Sequence, residues 1–183
     1  MLQHQILFAC ILHILNGYPN ACPNNGYAHE VANAIDFYSN LESVHHDIVV
    51  STAYDESRFK KNAISNRGAI GILQIKRNGA IQGEDLKLSD RKLMEIDTNV
   101  RIGVHYLAQF AHKCSVASEY LTNYNQGPDK HVCRSSTYGR HIIKDLNLGR
   151  KWEKQLFPPM VYAGEFIIES KARKGTMIQS VAP

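Results

Sequence analysis

The chain has 183 residues, about the length of one domain with a sizeable hydrophobic core. Hydrophobic residues make up 44% and charged residues 21%, which is ordinary for a globular protein. The net charge of +4 is mild, and the sequence has neither a basic run nor a phosphate-binding glycine loop, so it argues against nucleic-acid and nucleotide binding.

An apolar run near the N-terminus, Ile6 to Leu15, has the length of a signal-peptide core and is too short to cross a bilayer. Ala21 and Ala28 follow it as small residues suited to cleavage. No Lys or Arg precedes the run, so a buried N-terminal helix remains the alternative. We expect residues 1–28 to be a signal peptide or an N-terminal segment, and the protein to be periplasmic or secreted.

The first clear helix follows from apolar residues at helical spacing between Val44 and Ala53, with Glu56 on the same stripe. A turn punctuated by glycines comes next. It leads into a region with three loop signals, which are Asn78-Gly79, Gly83 and Ser89-Asp90.

Three more helices are predicted towards the C-terminus. The first begins near Asp97, and its apolar residues at helical spacing continue to Cys114. The second contains Leu121 and ends at Gly127-Pro128. The last runs from Tyr138 to Gly149. We therefore expect a mostly α single domain over residues 29–150, followed by a tail of unknown role over residues 151–183 that holds a short strand or an extended arm.

Cysteines and histidines indicate a disulfide rather than a metal site. Cys114 and Cys133 lie at the end of one predicted helix and beyond the next, and we expect them to pair in an oxidising compartment. The cluster from His45 to Asp47 suits metal ligands by residue type. Neighbouring residues point apart on a helix, so the sequence favours an exposed polar face there and no metal.

Two adjacent acids end the first predicted helix, and their helical positions differ. Glu56 shares a face with Thr52 and Ala53, whereas Asp55 is expected on a solvated face near Arg58. Apolar surroundings raise the pKa of a carboxyl, which keeps a proton available near neutral pH for general acid catalysis. An ordinary acid on an amphipathic helix is the alternative.

Four blocks in order resemble the soluble lytic transglycosylases, a family with the lysozyme-like fold. Glu56 to Phe59 resembles the catalytic "ESxF", and Asn62 to Gln74 resembles "NAxSxxGAxGLMQ". Asn99 to Leu107 is similar to "NIxxGxxYL", and Asn123 to Pro128 resembles "AYNAGP" with Asn in place of the first Ala. The short distance from there to the next tyrosine resembles the compact members associated with type IV secretion, conjugation or phage.

The resemblance implies a set of site residues. Glu56 would be the catalytic residue, and the glycine turn would let the backbone approach the sugar chain. For the glycines a plain turn, and for Tyr124 a place in the core, remain alternatives. The substrate-binding residues implied are Ser65, Gly71, Gln74, Tyr124, Asn125 and Tyr138.

The resemblance also implies the reaction. The family cleaves the β-1,4 bond between N-acetylmuramic acid (MurNAc) and N-acetylglucosamine (GlcNAc) in peptidoglycan with one carboxyl, closing a 1,6-anhydro ring, without metal or cofactor. Partners would be glycan strands and secretion or conjugation machinery, with a phage virion as the alternative location. A lysozyme-like hydrolase would need a second acid, such as Glu84, Asp85 or Asp90. A non-catalytic peptidoglycan-binding module is the other alternative.

Overall fold

The computed structural model describes residues 3–18, 20, 22–77, 83–114, 116–126 and 133–157. Within these ranges the chain forms helices and no strands, apart from isolated bridges, so the mostly α prediction is confirmed. The helices are α1 (Gln3–Leu15), α2 (Gly26–Glu42), α3 (His46–Ser57), a 3₁₀ helix (Gly83–Lys87), α4 (Asp90–Leu93), α5 (Ile96–Ala111), α6 (Ala117–Gln126) and α7 (Thr137–Leu156).

The longest helix, α7, packs against α1, α3 and α6 and so holds both ends of the described fold together. Ser136 caps its N-terminus by accepting a hydrogen bond from the Gly139 amide at 3.3 Å. The Ser51 hydroxyl of α3 donates to the Ile142 carbonyl of α7 at 2.6 Å. Helices α3 and α7 are thereby fixed side by side, and both carry residues of the site described below.

The N-terminal helix α1 belongs to the hydrophobic core. Phe8 is fully buried, stacks on Tyr54 with ring centroids 4.8 Å apart, and meets the edge of Trp152. A Cβ at Gly149 would lie 2.5 Å from the Phe8 ring, so glycine there lets α7 approach α1 closely. The N-terminal segment thus forms a buried helix in the structure, and a Cys10–Cys22 disulfide ties it to the chain before α2.

None of the helices in the described ranges combines the length and apolar character needed to cross a membrane.

Two of the longer helices differ from the sequence prediction, and the region predicted as loop holds the 3₁₀ helix and α4. Helix α2 was not predicted, although Val31, Ile35 and Tyr38 lie at helical spacing on its buried face. Helix α7 extends to Leu156, past the predicted end at Gly149, so the first residues of the predicted tail are helical. The tail from residue 158 onward lies outside the described residues, as do the predicted turn signals Asn78-Gly79 and Gly127-Pro128.

The glycine turn after α3 is organised around one buried amide, Asn99 of α5. Its nitrogen donates to the carbonyls of Ile70, at 2.9 Å, and Leu93, at 2.7 Å. Its oxygen accepts from the Leu73 amide at 2.8 Å. These bonds satisfy buried backbone groups that no helix or sheet pairs. Asn99 therefore fixes the course of the turn beneath the end of α3.

Candidate active site

Glu56 lies in the last turn of α3 and is partly buried. The helix ends directly after it, because Arg58 and Phe59 adopt positive φ angles of 54° and 60°. The Ser57 hydroxyl donates to the Ile72 carbonyl at 2.8 Å and fastens the glycine turn to the helix end. The acid therefore stands where a helix terminus, a tight turn and the start of α7 meet.

The surroundings of Glu56 raise its pKa from 4.5 to about 7. Burial is the largest cause, since it disfavours the charged carboxylate, and the negative charge of Asp55 adds to it. A hydrogen bond from Tyr138 and the charge of Lys76 act in the opposite direction. The carboxyl can therefore hold and release a proton close to neutral pH, as a general acid and base requires.

Tyr138 and Tyr124 bring two aromatic side chains to this acid. The Tyr138 hydroxyl donates a hydrogen bond to Glu56 Oε1. Burial and the charge of Glu56 raise the pKa of both tyrosines well above 10. Tyr124 is itself buried and donates to the Leu73 carbonyl at 2.7 Å, so it also supports the glycine turn from below.

Three other residues expected to bind substrate make hydrogen bonds within the turn itself. Ser65 Oγ accepts from the Ala69 amide at 3.0 Å. The Gln74 side-chain nitrogen donates to the Gly71 carbonyl at 2.9 Å. Gly71 is buried, and a Cβ there would lie 2.1 Å from Asn99 Nδ2. This glycine therefore provides the space that the Asn99 side chain occupies, and its expected role in substrate binding stays a prediction.

Asn125 and the disulfide lie at the periphery of this arrangement. Asn125 is exposed in the last turn of α6, next to the buried Tyr124. Cys114 and Cys133 are joined by a disulfide that links the chain after α5 to the chain before α7. This bridge closes the segment that carries Tyr124 and Asn125, and it leads into the helix that carries Tyr138.

The prediction that Asp55 lies on a solvated face was wrong. Its side chain is only 16% exposed, with His141 Nε2 3.2 Å from its Oδ1 and Arg58 Nη1 at 3.9 Å. The sequence interpretation correctly named Arg58, but it did not consider α7, which packs over this face of α3. The charge of Asp55 consequently acts on Glu56 in a partly buried setting.

Two of the acids considered for a second carboxylate are paired elsewhere. Asp85 accepts two hydrogen bonds from Arg101 of α5, at 2.6 and 3.0 Å. Asp90 forms an ion pair with Arg77 at 2.7 Å. The side chain of the third, Glu84, lies outside the described residues.

The cluster from His45 to Asp47 is more compact than the sequence suggested. One ligand atom from each of the three residues lies within 4.8 Å of the others, because His45 caps α3 and turns back over its first turn. The three side chains therefore do not point apart, contrary to the prediction. Part of the cluster is already engaged: His45 Nδ1 accepts from the Asp47 amide, and Arg150 donates twice to Asp47 Oδ2, while Asp47 Oδ1 is buried without a hydrogen-bond partner among the described residues.

Sequence reasoning gave no role to Ser57 and Asn99, which position the turn beneath Glu56. Both stand inside the motif blocks, Ser57 directly after the acid and Asn99 at the start of the third block. The sequence did offer one signal for both residues. Helical spacing places each of them on the buried face of its helix, where a polar side chain needs a hydrogen-bond partner. These partners, which are backbone groups of a distant turn, cannot be read from spacing.

Comparisons with known proteins identify the family and the fold. The family model of the transglycosylase SLT domain matches residues 33–147, more than half of the chain. A solved structure of an inactive mutant of the lytic transglycosylase Slt from Pseudomonas aeruginosa is similar to it, with a TM-score of 0.51 and 17% identity. The match covers 83% of this chain but 30% of the Slt chain, and it confirms the lysozyme-like fold. A comparison with curated proteins gives no significant match.

Proposed function

This chain belongs to the transglycosylase SLT domain family, and on that premise we propose that it is a lytic transglycosylase of peptidoglycan. It cleaves the β-1,4 bond between MurNAc and GlcNAc and leaves a 1,6-anhydroMurNAc end. One observation carries the proposal: Glu56, in the block that resembles the family's catalytic motif, has a carboxyl whose pKa burial raises to about 7.

The first step uses Glu56 as an acid. Because the Tyr138 hydroxyl donates to Oε1, the other carboxyl oxygen is the one that carries the proton. It delivers this proton to the glycosidic oxygen, and the leaving sugar departs with the electron pair of the broken bond. The N-acetyl group of the MurNAc residue assists from the opposite side, in place of a second enzyme carboxylate.

The second step uses the same residue as a base. Glu56, now a carboxylate, takes the proton from the C6 hydroxyl of MurNAc as that oxygen bonds to C1. The 1,6-anhydro ring closes, and Glu56 regains its proton for the next cycle. The hydrogen bond from Tyr138 stabilises the carboxylate form between the steps, which is why it lowers the pKa of Glu56.

The ion pairs of Asp85 and Asp90 favour this mechanism over hydrolysis. A hydrolase of the same fold needs a second carboxylate to activate water or to stabilise the intermediate. Both acids are held by arginines, Asp85 by Arg101 and Asp90 by Arg77. A purely binding module has no use for an acid with a raised pKa, so the state of Glu56 argues against that alternative as well.

The experiment that tests the reaction is digestion of purified peptidoglycan with mass spectrometry of the products. The wild-type protein should release fragments lighter by one water, about 18 Da, than hydrolysed ones, because the ring closes where water would add. Glu56→Gln should keep the fold and retain binding to peptidoglycan. It should lose turnover by at least about 10²–10⁴, since the residue acts in both steps.

The matched control is Glu95→Gln, because Glu95 is an exposed carboxylate whose ion-pair partner among the described residues is Lys92 on the surface. It should digest peptidoglycan at the wild-type rate. Fragments with ordinary reducing ends alone would replace the transglycosylase with a hydrolase. A fully active Glu56→Gln would overturn both assignments.

We further propose that the enzyme acts outside the cytoplasm, in the periplasm or on the secreted side, and opens the wall locally for secretion, conjugation or phage entry. The substrate lies there, and the motif pattern resembles the compact members of the family. A fusion of residues 1–30 to a reporter active only outside the cytoplasm should be active. A stable but inactive fusion would remove the export proposal and favour delivery with a phage particle.

A further inference from the structure

Three side chains with metal-ligating groups converge where α3 packs on α7. His141 Nε2 lies 3.2 Å from Asp55 Oδ1 and 3.6 Å from Asp145 Oδ2. All three ligand atoms lie within 4.8 Å of one another. His141 and Asp145 are one turn apart on α7 and so share a face, and Asp55 reaches them from α3.

Asp145 shows that this arrangement is incomplete. Its side chain is 8% exposed, and its Oδ2 is buried without a hydrogen-bond partner among the described residues. That atom is the one directed at His141. A buried carboxylate oxygen without a donor costs free energy, which a bound cation would offset. The His141 side chain is 49% exposed and gives solvent access to the cluster.

The charges around the cluster leave room for a cation. Arg58 Nη1 is 3.9 Å from Asp55 Oδ1 but donates its hydrogen bond to the Tyr54 carbonyl, with its guanidinium over the Tyr54 ring. Arg58 and Lys144 both influence Asp145 through their charge, yet burial still raises the pKa of that carboxyl. Neither cation takes up its buried oxygen.

Two other groups of three metal-ligating side chains, in the described part of the chain, also have their ligand atoms within 4.8 Å of one another. In the group from His45 to Asp47, Arg150 donates twice to Asp47 Oδ2, whereas Asp47 Oδ1 is buried without a hydrogen-bond partner among the described residues. In the group formed by Cys114, Glu119 and Cys133, the two sulfurs are joined to each other. In the group between α3 and α7, by contrast, no arginine of the described ranges donates a hydrogen bond to either carboxylate, and both carboxylates face one imidazole.

We propose that Asp55, His141 and Asp145 bind a divalent transition-metal ion, for which Zn²⁺ is the best match. Imidazole nitrogens and carboxylate oxygens both bind tetrahedral Zn²⁺, and water can take the fourth position beside three protein ligands. Bonds of about 2.0–2.2 Å in that geometry place neighbouring ligand atoms about 3.4 Å apart, close to the two separations observed. Ca²⁺ and Mg²⁺ are less suited, because both prefer oxygen ligands alone.

The ion would join the end of α3 to the middle of α7, one residue from Glu56. It would therefore stabilise the folded state by binding to it alone. Metal binding requires no glycan, so its test is independent of the proposed reaction.

The test is calorimetric titration of the full chain, freed of metal with a chelator, with ZnCl₂. The wild-type protein should bind one equivalent and unfold at a higher temperature with Zn²⁺ present. His141→Gln and Asp145→Asn should each weaken binding by about 10–100-fold or more, since loss of a ligand costs at least as much as loss of its outer partner. His46→Gln, the matched control in the neighbouring cluster, should bind like the wild type.

His141 is half exposed, so His141→Gln should fold even if Asp145→Asn does not, and circular dichroism in the chelator checks this. Equal binding by the wild type and His141→Gln would overturn the proposal. So would the absence of Zn²⁺ binding to the wild type, or a loss of binding in His46→Gln with His141→Gln unaffected.

Discussion

At the scale of single residues, Asp55 and Glu56 show how neighbours in sequence acquire different chemistry. Glu56 faces the glycine turn and Tyr138, and burial raises its pKa to about 7. Asp55 faces His141 and Arg58 instead. Helical spacing predicted that the two side chains diverge and that Glu56 faces the packed side. It could not predict the surroundings of Asp55, because these come from α7, far along the chain.

The pH dependence of turnover should report on the hydrogen bond between Tyr138 and Glu56. The acid is active when protonated, so wild-type turnover should fall as the pH rises through about 7. The bond lowers the pKa of Glu56, so Tyr138→Phe should move this fall to higher pH. Turnover at the optimum should drop by about tenfold, because the carboxylate formed between the steps loses a donor worth about 1.5 kcal/mol or more.

The measurement is a pH profile of peptidoglycan digestion in a chelating buffer, which keeps any metal away from the adjacent Asp55. Tyr120→Phe is the control, since burial alone raises the pKa of Tyr120 and Glu56 does not influence it. Its profile should match that of the wild type. An alkaline limb that stays in place or moves to lower pH in Tyr138→Phe would contradict the role given to this hydroxyl.

At the scale of elements, spacing and turn signals predicted α3, α5, α6 and the start of α7. They missed α2, whose apolar positions are interrupted by polar residues and small alanines, so that its stripe is weak by itself. The packing of α2 on α5 and α1 stabilises this helix, although its apolar stripe is weak. The extension of α7 to Leu156 likewise depends on contacts with α1, including the His13–Glu153 pair at 3.0 Å.

The glycine turn shows packing that the sequence did not predict. Its glycines are expected to let the backbone approach a sugar chain, which stays a prediction, and Gly71 also leaves space for the Asn99 side chain. Gly71 has a φ of +83°, and an added Cβ would lie 2.1 Å from Asn99 Nδ2. Gly71→Ala should therefore lower the free energy of unfolding by about 3 kcal/mol, through backbone strain and overlap with a buried amide.

Gly68 offers a matched control within the same turn. Its φ is +70°, but an added Cβ meets nothing within 4 Å. Gly68→Ala should cost only about 1 kcal/mol, from the backbone conformation alone. Denaturant unfolding of both variants checks the difference. Equal costs would mean that the overlap with Asn99 is relieved by a small shift and that the turn is not fixed by this amide.

At the scale of the whole molecule, the N-terminal helix decides how large the folding unit is. The predicted domain began after residue 28, and the matching family model begins at residue 33. Yet Phe8, Ile11 and Leu12 are fully buried, and the Cys10–Cys22 disulfide holds α1 to the chain before α2. Removal of this segment would expose the faces of α3 and α7 that α1 covers.

Substitution within α1 tests whether the helix supports the fold of the whole protein. Phe8→Ala should destabilise it by about 3–5 kcal/mol, because a buried ring that contacts α3 and α7 leaves a cavity between helices. Ile6→Ala, on the exposed side of the same helix, should change stability by less than about 0.5 kcal/mol. Thermal unfolding followed by circular dichroism measures both. If Phe8→Ala unfolds like the wild type, the contacts of Phe8 do not support the fold. A large loss confined to Phe8→Ala instead means that the packing of α1 supports α3 and α7, the helices that carry Glu56 and Tyr138.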